Sequence, residues 1–150
     1  MNISISGADE LLAHLEGLTD GLKGSIVAGM KDGLEDIKKD AVMNCPYGEL
    51  SGSIQAVVTE NGKGVSGKVY STLGYALYVE MGTGPKGEAN HSGVAPIPVT
   101  YSPKGWTYHD ETGFHSTRGQ PARPFLYPAY KNGVKGLLEK IKISVRKAGK

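Results

Sequence analysis

The sequence has little of several features that would narrow its function. Its single cysteine, Cys45, excludes a disulfide within the chain and suits a reducing compartment. The net charge of +2 is too small to indicate nucleic-acid binding by itself. No apolar run of about 18 residues is present, so no membrane span is predicted. The opening MNISISGADE lacks the basic and apolar regions of a secretory signal, so none is expected.

Motifs that carry chemistry are also scarce. Residues 82–87, GTGPKG, match G-x-G-x-x-G, but no helical period follows them, and a dinucleotide site needs a helix N-terminus there. A turn that ends a strand is the better interpretation. Cys45 has no catalytic signature around it. The spacing of common metal sites is not met by the loop residues His91, His109, Asp110, Glu111 and His115. We therefore expect no enzyme, no cofactor and no metal site.

What is present is the pattern of one globular domain of 150 residues, rich in glycine. Residues 2–6 alternate as a short edge strand, and Asp9 could cap the helix that follows. An apolar stripe then recurs every three or four residues: Leu11, Leu15, Leu18, Leu22, Ile26, Met30, Leu34, Ile37 and Ala41. It predicts an N-terminal helix of about 50 Å that Pro46 ends. Glycines predict a kink or a break near Gly21–Gly24, or close packing of a neighbour's backbone there.

A sheet is predicted after this helix. Two β-rich runs, 52–60 and 65–71, flank Asn-Gly, which is typical of a hairpin. Residues 75–81, YALYVEM, alternate with a period of two and predict a third strand of the same meander. The fold class is therefore α+β, with an antiparallel sheet packed against the long N-terminal helix.

Residues 84–119 differ in kind from the rest. Glycine, proline, serine, histidine and lysine dominate, and only 96–101 and 106–108 look extended. A loop of this length in a small domain is usually functional or disordered until bound. We expect a long, flexible, hairpin-like arm whose isolated aromatic residues Trp106, Tyr108 and Phe114 contact a partner.

A second, C-terminal helix is predicted with Pro128 in its first turn. Tyr130, Val134, Leu137 and Ile141 would form its apolar face, and the alternation at 141–145 predicts a final strand. Basic residues cluster here and could contact DNA phosphates, although a solvated helix surface is the more usual explanation. They are Lys131, Lys135, Lys140, Lys142, Arg146, Lys147 and Lys150.

Glu80 is a lone carboxylate in an otherwise apolar segment, so it needs a partner. A guanidinium or backbone amides would satisfy it. We predict that Glu80 pairs with Arg123 or with amides of the 118–124 turn. A pair between subunits is the alternative.

Two motifs carry a resemblance to a known family. YALYVEMGT, 75–83, and GQPARPFLYPA, 119–129, resemble the tail-completion or head–tail joining proteins of long-tailed bacteriophages. The order of elements resembles that family over nearly the whole chain. The sequence departs from the family in the shorter turn after Pro46, at Tyr47 and at Met81. Residues 85–117 do not follow the family pattern. The motif residues are Tyr75, Tyr78, Glu80, Gly82, Thr83, Gly119, Pro121, Arg123, Pro124, Phe125 and Pro128.

This resemblance implies a non-enzymatic structural protein of the virion neck, assembled in the host cytoplasm. The chain would be one head–tail joining domain, 1–150, with the arm inserted at about 84–119. Its implied partners are copies of itself in a ring, commonly sixfold, the head connector or stopper, and the tail tube or tail terminator. The alternatives are a DNA-contacting protein of the particle and a minor capsid protein. A small metal-dependent hydrolase is the rival from a different class.

Overall fold

The fold was analysed in a computed structural model, which describes residues 2–4, 20–62 and 64–149. The fold is α+β, as predicted, and the described residues form ten elements in chain order. These are β1 (Asn2–Ser4), α1 (Asp20–Asn44), α2 (Gly48–Gly52), β2 (Ile54–Asn61), β3 (Gly64–Ser71), α3 (Ala76–Met81), α4 (Gly84–Ala89), β4 (Trp106–Asp110), β5 (Gly113–Thr117) and α5 (Leu126–Ala148).

Helix α1 forms the centre of the core. Its predicted stripe is buried from Ile26 to Ala41, and it ends at Asn44, two residues before Pro46, as predicted. The helix runs without a break through Gly21 and Gly24, so the predicted break there is wrong, while a kink there stays a prediction. The proposed cap Asp9 and the stripe residues Leu11, Leu15 and Leu18 lie outside the described residues.

The first sheet has three strands in the order β1-β3-β2 and is antiparallel throughout. The predicted hairpin of β2 and β3 is confirmed, and Asn61 pairs with Gly64 at its closed end. The predicted N-terminal strand is also confirmed, at residues 2–4, where it pairs with β3. The sheet packs on α1, because Leu34 of the helix lies against Gly67 of β3.

The predicted third strand at 75–81 is wrong. These residues form helix α3, and β1 takes the third place in the sheet. The buried residues of α3 include Ala76, Val79 and Glu80, whose spacing of three and four follows a helix. The alternation of Tyr75, Leu77, Val79 and Met81 is too short to decide between the two periods.

The segment 84–119 is more ordered in secondary structure than expected. It begins with helix α4 and contains the antiparallel hairpin β4–β5, while the predicted extended piece 96–101 forms no strand. The prediction that GTGPKG has no helix after it is therefore wrong, because α4 begins within that motif at Gly84. Proline is tolerated in its first turn because the amide that proline lacks would have no partner there.

Helix α5 runs antiparallel to α1 and closes the core. A Cβ placed on Gly29 would lie 2.7 Å from Ile141 Cα, and one on Gly33 would lie 2.8 Å from Leu137 Cα. The close approach of a neighbouring backbone that was predicted near Gly21–Gly24 is wrong, because a Cβ at either glycine would meet nothing within 4 Å; the approach occurs at Gly29 and Gly33 instead. Pro128 lies in the first turn of α5, as predicted. The predicted strand at 141–145 is wrong, because the helix continues to Ala148 and buries Ile141 on its α1 face.

Candidate functional site

The two motif segments, 75–84 and 118–128, are in direct contact, and we call their contact the junction. Thr83 and Gln120 exchange backbone hydrogen bonds, with N···O distances of 2.9 and 3.1 Å. The Arg123 amide donates to the Val79 carbonyl at 2.8 Å, and Gln120 Nε2 donates to the Tyr78 carbonyl at 3.1 Å. Segments about 40 residues apart in sequence are thereby fixed to one another.

Two glycines make this approach possible. Gly119 has φ +82°, and a Cβ there would lie 1.8 Å from the Thr83 carbonyl oxygen. Gly82 has φ +74°, and a Cβ there would lie 2.6 Å from the Ala122 nitrogen. Any other residue would add both backbone strain and a collision. The two glycines of the motif are therefore required by the geometry of the junction.

Glu80 caps helix α5 from another element. Its side chain is fully buried, and its carboxylate accepts hydrogen bonds from three backbone amides. Oε2 lies 2.8 Å from Phe125 N and 3.0 Å from Leu126 N, and Oε1 lies 2.9 Å from Tyr127 N. The first amides of a helix have no partner within it, and the helix dipole favours an anion there. The N-cap residue Phe125 offers no side-chain oxygen, so Glu80 supplies the cap.

The predicted pair of Glu80 and Arg123 is wrong, while the predicted partner type, backbone amides, is right. The amides belong to 125–127 and not to 118–124. The exposed Arg123 guanidinium instead donates to Tyr47 Oη at 3.1 Å and lies over the Tyr47 ring at 5.8 Å from its centroid. A buried carboxylate that already accepts three amide bonds needs no guanidinium, and Arg123 stays at the surface.

The other motif residues divide between core and surface. Phe125 is fully buried in the core, and Pro121, Pro124 and Pro128 are half-buried around the junction. Tyr78 is exposed on α3, and Tyr75, the N-cap residue of that helix, is also exposed. The first group builds the junction, and the two tyrosines are free to meet a partner.

A groove lies beside the junction, between α3, the loop at 99–102 and the base of the β4–β5 hairpin. Its volume is about 810 Å³, and no residue that lines it carries a charge. Aromatic side chains dominate the lining: Tyr75, Tyr78, Tyr101, Trp106 and Tyr108. Tyr101 is fixed by its hydroxyl, which donates to the Met81 carbonyl at 2.8 Å, and burial raises the pKa of this phenol. Such a surface is suited to a protein partner.

The sequence did not predict this groove. Its clearest signal is the spacing of three between Tyr75 and Tyr78, which places both on one face of a helix but on opposite faces of a strand. The incorrect strand assignment hid it. Val99 and Tyr101 carry no local signal, since only the tertiary fold brings them to the groove.

The hairpin β4–β5 has two different faces. Trp106 and Tyr108 line the groove, whereas Phe114, paired with His109, lies on the other face and is 81% exposed. At the turn, the Asp110 carboxylate accepts from Thr112 Oγ1 at 2.6 Å and from its amide at 2.8 Å. These bonds lower the pKa of Asp110. The three predicted arm aromatics are thus exposed, but they serve two separate surfaces.

The described residues form no metal or phosphate site of the kinds that the sequence motifs suggested. No three metal-ligating side chains converge within the described residues. The amide of Lys86, in the first turn of α4, donates to the Arg118 carbonyl, so it is not free for a phosphate. Cys45 is half-buried beside the core, and this burial raises the pKa of its thiol.

DNA contact through the basic residues of α5 stays a prediction. Two of the lysines in that cluster have acidic neighbours: Lys140 pairs with Asp36, and Lys142 lies 2.9 Å from Glu139. Lys150 lies outside the described residues.

An α+β chain with an uncharged aromatic groove and a projecting hairpin has the features of a protein that assembles with other proteins. Residues 9–82 match the family model described as "Bacteriophage HK97-gp10, putative tail-component". Over these residues, which are 74 of the 150 in the chain, the sequence is similar to this HK97-gp10-like family of phage tail components. No curated protein and no solved structure gives a significant match.

The match confirms the predicted resemblance to a family of phage tail components. It spans α1, the β2–β3 hairpin and α3, and it ends at Gly82, so the second half of the junction and the β4–β5 hairpin lie beyond it. Within the described part of the chain, no helix is both long and apolar enough to cross a membrane.

Proposed function

We propose that this chain is a non-enzymatic structural component of the phage neck, where it joins the head connector to the tail tube. The family supports a tail component. The observation that carries the finer proposal is the groove and the hairpin beside it, which together expose Tyr78, Trp106, Tyr108 and Phe114. Exposed aromatic side chains around an uncharged groove favour a protein partner, because aromatic residues are enriched at the centres of interfaces.

The proposed assembly is a homo-oligomeric ring, commonly sixfold in proteins of this kind. A ring requires a heterologous contact between copies, and it leaves two further faces. One would meet the head connector or stopper, and the other the tail tube or tail terminator. The protein would be assembled in the host cytoplasm and remain in the virion neck.

The junction supports this role mechanically. It ties the base of the segment 84–119 to both α3 and the start of α5 through the Thr83–Gln120 bonds and the Glu80 cap. The chain would therefore act as one joining domain over 1–150, with the insertion at about 84–119 as its docking arm. A rigid base lets the arm transmit load from head to tail, while its exposed strands adapt to the partner.

A head–tail joining assay tests this function. Phage made without the protein should yield DNA-filled heads and complete tails that stay separate in electron micrographs. Addition of the purified protein should restore joined particles. Joined, infectious particles in its absence would contradict the proposal, as would a failure to package DNA or to build tails.

A further inference from the structure

We propose that the outward face of the β4–β5 hairpin, centred on Phe114, docks into the aromatic groove of a second copy of this chain. This inference rests on the proposed ring and names the surfaces that would form it. Phe114 is the knob, and the groove is the one bounded by α3, the 99–102 loop and the hairpin base.

The register of the hairpin separates knob from groove. Directly paired residues of antiparallel strands lie on one face, and successive pairs alternate between faces. Trp106 pairs with Thr117, and both line the groove. His109 pairs with Phe114, and their rings stack edge to face at 4.8 Å, on the opposite face of the hairpin.

The knob cannot fill the groove of its own chain. Phe114 lies three residues from Thr117, about 10 Å along an extended strand, and it points away from the groove. It is 81% exposed, and the His109 ring packs edge to face against it. Only another molecule can bury it.

The groove offers what such a knob needs. Its volume of about 810 Å³ is in the range of pockets that hold small ligands, so one aromatic side chain can enter it. Its lining carries no charge.

Charges around the two surfaces are also complementary. The hairpin turn carries Asp110 and Glu111, both exposed. Three exposed basic residues, Lys86, Lys104 and Arg118, lie within two positions in sequence of residues that line the groove. Exposed acidic residues near the lining include Glu88 and Glu49, whose carboxylate lies 3.5 Å from Tyr75 Oη. The acidic turn of the hairpin would be attracted to these basic residues near the groove. This attraction favours a second copy of the chain as the molecule that enters the groove.

Knob and groove are different surfaces, so their contact is head-to-tail and closes into a ring when the rotation allows it. The contact is also small. One aromatic side chain buries about 150–250 Å², whereas a stable interface buries about 800 Å² on each partner. The contact should therefore be transient between free copies and become stable where several copies are held together.

Photo-crosslinking tests the contact without removing the knob. The photoreactive aromatic residue p-benzoylphenylalanine replaces Phe114 in the full chain, which is mixed with an isotope-labelled wild-type copy. We expect crosslinks between labelled and unlabelled chains that map to groove residues such as Tyr78, Val99 and Trp106. The same probe at the exposed Thr59 of β2 is the matched control and should give at least about tenfold fewer such crosslinks.

A groove variant completes the design. Tyr78→Glu, at a side chain 56% exposed, should reduce the crosslink yield about tenfold while thermal unfolding stays unchanged. Crosslinks from position 114 that fall outside the groove, or only within one chain, would overturn the inference. So would an absence of crosslinks between labelled and unlabelled chains. If head–tail joining still depends on the protein in that case, the neck function stands and only this interface is wrong.

Discussion

Glu80 Oε2 lies 2.8 Å from the backbone nitrogen of Phe125, and this hydrogen bond joins α3 to the start of α5. Two more amides, of Leu126 and Tyr127, bind the same carboxylate. This buried side chain thus adds to the backbone bonds between the two motif segments, and it caps the helix that closes the core.

Replacing this carboxylate should destabilise the whole protein. Glu80→Gln exchanges one oxygen for an NH2 group, which cannot accept an amide bond, so a buried donor loses its partner. We expect a loss of about 3 kcal/mol in the free energy of unfolding. Glu35→Gln is the matched control, because Glu35 is half exposed and lies 3.8 Å from Lys38; it should cost less than about 1 kcal/mol. Equal effects in denaturant unfolding would disprove the cap.

A double-mutant cycle separates the observed cap from the ion pair that the sequence suggested. Because the Arg123 guanidinium binds Tyr47 and not Glu80, the effects of Glu80→Gln and Arg123→Ala should add within about 0.5 kcal/mol. Urea unfolding of the four proteins gives the coupling. A coupling well above about 1 kcal/mol would mean that the two charges interact.

The glycines of α1 should respond in opposite directions to the same substitution. Gly29→Ala places a methyl group against the backbone of Ile141 and should cost about 1–3 kcal/mol. Gly24→Ala meets no atom within 4 Å and should stabilise the helix by up to about 1 kcal/mol. Thermal unfolding of both variants provides the comparison. A stabilised Gly29→Ala protein would show that α5 does not pack there.

The sequence predicted the elements with long periodic patterns, namely α1 after Asp20, the β2–β3 hairpin and α5. The sequence-based prediction failed at 75–81, because seven residues fit both the period of a strand and the period of a helix. Only the burial of Ala76, Val79 and Glu80 in the structure shows that the segment is a helix. The prediction also failed at 141–145, where a helix face and a strand face share Ile141 and Val145. The cap was predicted by partner type but not by position, because the start of α5 at Leu126 depends on tertiary packing. The groove could not be predicted, since its lining comes from four separate segments.

The turn of the β4–β5 hairpin should show a pH-dependent order. Hydrogen bonds from Thr112 hold the pKa of Asp110 below its ordinary value of 3.8. The carboxylate therefore favours the ordered turn above that pH, and this contribution is lost as the pH falls through the lowered pKa. Titration followed by NMR should give a midpoint below 3.8 for Asp110. Thr112→Ala should raise it, because the hydroxyl donor is removed. An unchanged midpoint in that variant would contradict the assignment.

The role of the β4–β5 hairpin in the phage neck is tested most directly by a head–tail joining assay on a protein with a shortened hairpin. Residues 108–115 are replaced by Asn-Gly, so that Thr107 and Ser116, which pair in β4 and β5, are joined by a two-residue turn. This variant should unfold at the wild-type temperature, because the Glu80 cap and the junction are intact. We predict that it leaves DNA-filled heads and tails separate, as in the absence of the protein. A normal yield of joined, infectious particles would contradict the role of the hairpin in the phage neck.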